Sequence, residues 1–549
     1  MYEKVRKMQW TVWVFWAILG REPQRRAGKS MPSVREATIR LLRELGMTTI
    51  FGNPGSTELP LFREFHDEFR YILGLQESVV VGAADGFAQA TRNAAFVNLH
   101  SSAGTGHALG NIFTAFRNQT PLVVTAGQQA RSILPYDPFL YAERPTEFPR
   151  PFVKWACEPA RAADVPLALA RAYYEAMTPP QGPVFISIPV DDWDRPCDWV
   201  QPRQIATLNP GDPAAIARLA CAIGKSSSPA FVLGAGTARD QAWDAMVSLA
   251  EHQNASVYAG TYASRNVFPE THRLFRGFLP AFREKLIGVL APHDLIVSCG
   301  GPLNLYHAEG LGPHVPNNAE CWSVGDNAGV LAWALQGCAI LGNTRVVATQ
   351  LDAMLSHSDR SPVAARLRPT ALTRDILNDQ LAMQRIAAHF PEGAIIVEEA
   401  PSSRAALQDQ LRLDRPDIFY TTASGGLGFG MPAAVGIALG RPGTRIVAII
   451  GDGSAMYGIQ SLFCAYQLGL PITFVIINNS RYRALQTFGQ TFGMDAVPGT
   501  DLSGLDFVAL GKGHGLSNGT RVHSADALDA ALSTAFRQDG PNLVEVVVQ

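Results

Sequence analysis

The sequence predicts an α/β protein of three domains, each built on a central parallel sheet. Three observations carry that expectation. The chain has 549 residues, too many for one core and enough for about three domains of ordinary size. From residue 34 onward, short apolar runs alternate with longer amphipathic stretches, the pattern of strands joined by crossover helices. The 49 Gly and 37 Pro are scattered without a period, as many tight strand–helix turns require.

The elements follow in order. Residues 1–30 read as an N-terminal extension, disordered and outside the fold. Their apolar run, 11–19, follows Lys4, Arg6 and Lys7; it is too short to span a bilayer and lacks a small-residue cleavage site. The first domain, 31–200, has strand-like runs at 48–52, 71–76, 95–99, 122–126 and 184–188, with a helix expected from Glu58. A Pro- and Trp-rich stretch at 191–213 reads as a linker. The second domain, 201–370, has runs at 230–233, 295–298 and 345–348 and a loose segment at 358–369. Its Gly234-Ala235-Gly236 resembles part of a dinucleotide fingerprint but lacks the third glycine, which favours a plain Rossmann-like turn. The third domain, 371–549, has runs at 394–397, 445–450, 472–477 and 543–548.

Composition excludes several function classes. With 47% hydrophobic and 17% charged residues, the chain is neither disordered nor fibrous. Forty-six basic against 48 acidic residues, and no basic run, argue against a nucleic-acid partner. No segment has the length of a membrane span. Seven widely spaced cysteines without a C-x-x-C pair fit reduced thiols in the cytoplasm, not a disulfide framework or a zinc site.

The chemistry concentrates at 445–485. A buried strand ends at Gly451-Asp452-Gly453-Ser454, a helix is expected over 456–468, and a second strand ends at Asn478-Asn479. Both polar clusters fall at C-terminal strand ends, where open α/β sheets place ligands. Asp452 offers a carboxylate oxygen and Asn479 an amide oxygen, which suit Mg²⁺ or Ca²⁺. The glycines let backbone N–H groups approach a phosphate at the following helix N-terminus. With one carboxylate, the metal needs the phosphate oxygens of its ligand to complete the shell.

GDG, 24 residues and then NN resemble the signature of thiamine-diphosphate enzymes. GNPGS at 52–56, LQE at 75–77, HSSAGTG at 100–106, TAGQQ at 125–129, PQGPVFISIPVDDWD at 180–194 and SGGLGFGMPAAVG at 424–436 extend the likeness along nearly the whole chain. The chain resembles the benzoylformate decarboxylases. That resemblance implies a pyrimidine-binding, a middle and a diphosphate-binding domain. It also implies thiamine diphosphate with Mg²⁺ or Ca²⁺, bound between the first domain of one subunit and the third of the next, in a homodimer or homotetramer. The implied reaction is non-oxidative decarboxylation of a 2-oxo acid to an aldehyde and CO₂. A carboligase or acetolactate-synthase-like enzyme is the alternative, and a catalytically silent cofactor-binding protein a third reading.

The resemblance also implies site residues. Glu77, flanked by apolar Leu75 and the valines at 79–81, meets N1′ of the aminopyrimidine; Ser56, His100 and His307 surround the reacting carbonyl. Asn53, Pro54 and Gly55 lie against the cofactor, and Gly425 and Leu427 contact its pyrimidine. Ser402, Gly453, Ser454 and Tyr482 bind the diphosphate, and the Arg481 carbonyl joins Asp452 and Asn479 on the metal. Phe139, Leu140, Leu485 and Phe488 line the substrate pocket. Thr421-Thr422, Pro401 and Arg483 depart from the family pattern. Arg483 either faces solvent or reaches a second anionic group of the substrate.

Overall fold

A computed structural model describes residues 31–549 apart from 335, 362–363, 368–371 and 373–375. The extension at 1–30 and part of the 358–369 segment therefore lie outside the described residues. The described remainder forms three six-stranded parallel sheets, each flanked by helices.

The first sheet contains β1 (Thr49–Gly52), β2 (Arg70–Leu73), β3 (Ala95–Leu99), β4 (Leu122–Gln128), β5 (Ala156–Cys157) and β6 (Pro183–Pro189), in the order β2-β1-β3-β4-β6-β5. The second contains β7 (Pro229–Leu233), β8 (Ser256–Ala259), β9 (Phe275–Phe278), β10 (Leu295–Cys299), β11 (Glu320–Gly325) and β12 (Cys338–Leu341), in the order β12-β11-β10-β7-β8-β9. The third contains β13 (Ile395–Glu399), β14 (Phe419–Thr421), β15 (Ile446–Gly451), β16 (Ile472–Asn478), β17 (Gly519–Val522) and β18 (Asn542–Val547), in the order β14-β13-β15-β16-β18-β17. The first and third sheets thus share one strand permutation, although their sequences show no repeat. The middle sheet has the doubly wound order of dinucleotide-binding folds.

Four expectations are corrected. Residues 345–348 are not a strand but part of the helix Thr344–Met354. Asn343 caps that helix, and Val347, Ala348 and Leu351 form its buried stripe at helical spacing. No full helix starts at Glu58. Pro60 falls inside a single 3₁₀ turn, Leu59–Phe62, and the chain then turns away to β2. The helix expected at 456–468 is two shorter ones, Asp452–Gly458 and Ser461–Gln467. SSAGTG, whose small residues after His100 read as a turn in the sequence, instead opens the helix Ser101–Asn118.

Two helices lock the outer domains together. Glu77–Thr91 and Gly430–Gly440 cross with their backbones nearly touching: a Cβ on Gly436 would lie 1.8 Å from the Ala83 carbonyl oxygen, and one on Gly86 2.3 Å from that of Ala433. Buried Phe51, Val97, Tyr420, Phe429 and Ile450 belong to one continuous core spanning both domains. Asp417 adds a polar clamp among all three domains. It accepts from Arg92 at 2.6 Å and from the buried Arg265, while Arg92 also donates to the Arg239 carbonyl at 3.1 Å. The seven cysteines are unpaired; burial pushes the Cys299 thiol up to about 12 and Cys464 up to about 11, so these two are inert at neutral pH.

Candidate active site

The third sheet builds a polar cradle at neighbouring strand ends. β15 pairs with β16 so that Gly451 faces Ile477, which brings Asp452 and Asn479 side by side. Asp452 is buried; its Oδ1 accepts from Gly453 N–H at 2.7 Å and its Oδ2 from Asn479 N–H at 3.0 Å. Burial pushes its carboxyl above the usual range, and the N–H groups of Gly453, Asn479, Ser480 and Arg481 pull it back. A buried carboxylate held by backbone dipoles is an oxygen site for a hard cation. Asn478 and Asn479 divide the labour: Asn478 donates to Glu545 at 2.7 Å and accepts from Ser480 N–H at 2.9 Å, anchoring the strand end. Among the described residues Asn479 Oδ1 accepts only from Arg481 N–H, at 3.2 Å. Ser480, at φ 57, makes the sharp turn after the pair.

The remaining third-domain residues surround this cradle. The Arg481 carbonyl accepts from Arg483 N–H at 2.9 Å across Tyr482, whose φ −77 and ψ 67 make an inverse γ-turn. A carbonyl has two lone pairs, so one stays free for a metal. Tyr482 lies over the GDG loop: a Cβ on Gly453 would meet its ring at 2.2 Å. Ser454 is buried in the first turn of Asp452–Gly458. Ser402 sits in the turn after β13, the strand beside β15. Among the described residues no group of three or more His, Cys, Asp or Glu could hold a metal.

Glu399, at the end of β13, is a site residue that the sequence reading misses. Fully buried, it accepts from Gly428 N–H at 2.6 Å and Gly430 N–H at 2.5 Å, and so fixes the loop that carries Gly425 and Leu427. Gly425 and Gly428 have φ 74 and 100, which side-chain-bearing residues rarely adopt. Burial raises the Glu399 carboxyl to about 7, opposed by those N–H groups. The doubled acid in IIVEE was the available signal.

In the first domain the GNPGS turn and the end of β3 meet. His100 Nδ1 lies 3.0 Å from Glu58 Oε2 and 3.2 Å from Thr57 Oγ1, and Gly55 N–H donates to the same Glu58 oxygen at 3.0 Å. A Cβ on Gly55 would fall 2.0 Å from His100 Nδ1, so this turn must be Gly for the imidazole to lie on it. Glu58 is the second residue that sequence reasoning misses; nothing in its local pattern distinguishes it. Asn53 and Pro54 lead into the turn, and Ser56 is exposed there without capping a helix. Ser101, next to His100, has φ 34, a strained conformation at a strand end. Glu77 is the first residue of its helix, 9% exposed, with Oε2 3.1 Å from His107 Nδ1.

His307, from the middle domain, stacks on Phe488 of the third, with ring centroids 4.6 Å apart, and its Nδ1 lies 3.4 Å from the Tyr262 hydroxyl. Leu485 is half exposed one turn earlier in the Arg483–Gly489 helix, and Phe139 is 85% exposed on a first-domain loop. Leu140 follows at φ 62. Neither reading of Arg483 describes its side chain, which pairs with Asp379. The Thr421 hydroxyl donates to Glu398 at 2.9 Å, where Arg404 joins it at 2.5 Å; Thr422 bonds Ser424 at 2.9 Å. The Gly234-Ala235-Gly236 turn is tied to the end of the neighbouring strand β10: Gly234 N–H donates to the Cys299 carbonyl at 2.8 Å and Gly236 N–H to the Gly300 carbonyl at 2.7 Å. Those N–H groups are not aimed at a phosphate.

Comparison with known proteins defines the class first. Models described as the N-terminal TPP binding domain, the central domain and the C-terminal TPP binding domain of thiamine pyrophosphate enzymes match residues 32–142, 216–351 and 402–546. Within that class the chain is 40% identical to benzoylformate decarboxylase of Pseudomonas aeruginosa, over 94% of this chain and 99% of that one. The crystal structure of benzoylformate decarboxylase from Polynucleobacter necessarius superposes with a TM-score of 0.92 at 37% identity, covering 94% and 99% of the two chains. A thiamine diphosphate-dependent 4-hydroxybenzoylformate decarboxylase from Rhodococcus jostii gives 0.91 at 37%, with the same coverage. The chain belongs to the benzoylformate decarboxylase family of thiamine pyrophosphate enzymes.

Proposed function

We propose that this protein is a carboxy-lyase that decarboxylates an aryl 2-oxo acid of the benzoylformate type, without oxidation, to an aldehyde and CO₂. The observation that carries the reading is the buried Asp452 carboxylate, held by backbone N–H groups beside Asn479 at paired strand ends. That donor set fits Mg²⁺ or Ca²⁺ with a diphosphate: Asp452, Asn479 and the Arg481 carbonyl hold the metal, and Ser402, Gly453, Ser454 and Tyr482 the phosphates. Gly425 and Leu427 support the pyrimidine, and Asn53, Pro54 and Gly55 close the site from the first domain. When bound, thiamine diphosphate supplies the electron sink that CO₂ loss requires.

This chain's residues do the rest. Glu77 holds a proton at the pyrimidine ring nitrogen. Glu58 orients His100 so that Nε2 is free to move a proton at the substrate carbonyl, and Ser56 on the neighbouring turn positions the 2-oxo acid. His307, stacked on Phe488, supplies a second imidazole. Phe139, Leu140, Leu485 and Phe488 form an apolar pocket. The proposed domain boundaries are 200/201 and 370/371, the latter outside the described residues.

Two chains complete the site. Among the described residues the hydrogen bonds of Glu58, Glu77 and His100 stay in the first domain and those of Asp452 and Asn479 in the third. Exposed Leu75 precedes Glu77, and exposed Tyr457 follows Asp452 on its helix. A second copy covering these side chains supports a homodimer as the minimal active unit, with a homotetramer as its doubled form. No helix among the described residues is long and apolar enough to cross a membrane; reduced thiols support a cytoplasmic location.

The test is a panel of aromatic, aliphatic and dicarboxylic 2-oxo acids scored for CO₂ and aldehyde. Benzoylformate or a ring-substituted relative is expected to exceed pyruvate in kcat/KM by roughly 10–200-fold for each methylene-sized gap that pyruvate leaves in the pocket. Pyruvate or 2-oxoglutarate outrunning every aromatic acid overturns the substrate reading. Acetolactate as the main product from pyruvate favours the carboligase alternative, and no turnover with any acid favours a silent cofactor-binding protein.

A further inference from the structure

We propose that His107 is a positioning residue for Glu77, holding one carboxylate oxygen so that the other is presented to the cofactor. The inference rests on the reading of Glu77 as the partner of the pyrimidine ring nitrogen. Glu77 opens the helix Glu77–Thr91, and His107 lies in the second turn of Ser101–Asn118, packed against it. Nδ1 of His107 is 3.1 Å from Oε2 of Glu77. The two carboxylate oxygens therefore have different surroundings. Oε2 is held by the imidazole, whereas Oε1 lies over Gly104, where even a Cβ would come within 3.3 Å. The glycine leaves open the side on which Oε1 lies.

A glutamate side chain has three rotatable bonds, and a carboxyl that must share a proton with a fixed ring nitrogen is useful in one rotamer only. Two helices converging on Glu77 select that rotamer: its own helix sets Cα, and the neighbouring helix supplies the Nδ1–H that holds Oε2 in place. His107 is 63% exposed along its side chain in the single chain. The Glu77 side chain that it holds is 11% exposed.

His107→Ala and His107→Asn test this, the second because an amide N–H restores a donor of similar reach. Two quantities are read on the reconstituted enzyme: the dissociation constant for thiamine diphosphate, from tryptophan fluorescence, and the rate at which bound cofactor exchanges its thiazolium proton for deuterium, from quenched NMR samples without substrate. His107→Ala is expected to slow exchange about tenfold, the effect of one hydrogen bond to a charged group, with the dissociation constant within about threefold of wild type. His107→Asn is expected to recover most of the exchange rate. Exchange within twofold of wild type in His107→Ala, or no recovery in His107→Asn, overturns the proposal. Glu77→Gln in the same assay separates the two ideas. A slow Glu77→Gln with a fast His107→Ala sinks only the positioning role, whereas a fast Glu77→Gln sinks the reading of Glu77 and this proposal with it.

Discussion

His100 Nδ1 and Glu58 Oε2 stand 3.0 Å apart, and that pairing decides which ring nitrogen of His100 faces the open side of the GNPGS turn. A carboxylate at Nδ1 keeps the proton on that nitrogen and leaves Nε2 for a substrate. The pair joins a turn to a strand end 42 residues away in sequence, so it forms only when the sheet does.

Glu58→Ala is therefore expected to lower kcat at least tenfold, toward the ~10²–10⁴ of a lost general acid–base group, with the far-UV spectrum unchanged. Steady-state kinetics with benzoylformate check this. An unchanged kcat would remove His100 from the chemistry.

Gly453→Ala places a methyl 2.2 Å from a carbon of the Tyr482 ring. The ring must move away from the diphosphate cradle, so the dissociation constant for thiamine diphosphate is expected to rise tenfold or more. Fluorescence titration of the apoprotein measures it. Wild-type affinity would show that Tyr482 does not cover the phosphates.

Glu399 gives a pH dependence with a definite sign. Its carboxyl is raised from 4.5 to about 7 in the folded chain by burial. The folded state keeps that proton where the unfolded chain releases it, so the associated stability is full below about pH 4.5. It is lost as pH rises toward 7, by roughly 3 kcal/mol. Other groups titrate in the same range; the buried His293 imidazole, lowered by desolvation, pulls the opposite way. The difference between proteins isolates Glu399: in urea unfolding of the apoprotein, Glu399→Gln is expected to lose less stability than wild type between pH 5 and pH 7.5. Equal losses would contradict the assignment.

Much of the fold and the motifs of the candidate site are legible in the sequence, for a physical reason. Asp452, Asn479 and the GNPGS turn sit on contiguous motifs, where one strand end and its following turn carry the candidate residues. Most predicted strands stand within two residues of their observed ends because buried parallel strands read as unbroken apolar runs. Glu58 and His107 leave no local signal because each acts on an element far away in sequence, and Glu399, which does the same, shows only as the doubled acid of IIVEE. SSAGTG reads as a turn by composition, yet packing decides otherwise, since its small residues let the helix approach Glu77. The strand reading fails at 345–348 because a short apolar run fits either period, and the Asn343 cap settles it as helix.

The most direct measurement is CO₂ release from benzoylformate by protein stripped of cofactor and then reloaded. Wild type is expected to regain activity only with thiamine diphosphate and Mg²⁺ together, giving CO₂ and benzaldehyde in equal amounts. A folded, cofactor-loaded Glu77→Gln protein is expected to be slower by about 10² or more. Turnover without thiamine diphosphate, or near-normal kcat in that Glu77→Gln protein, would contradict the assignment.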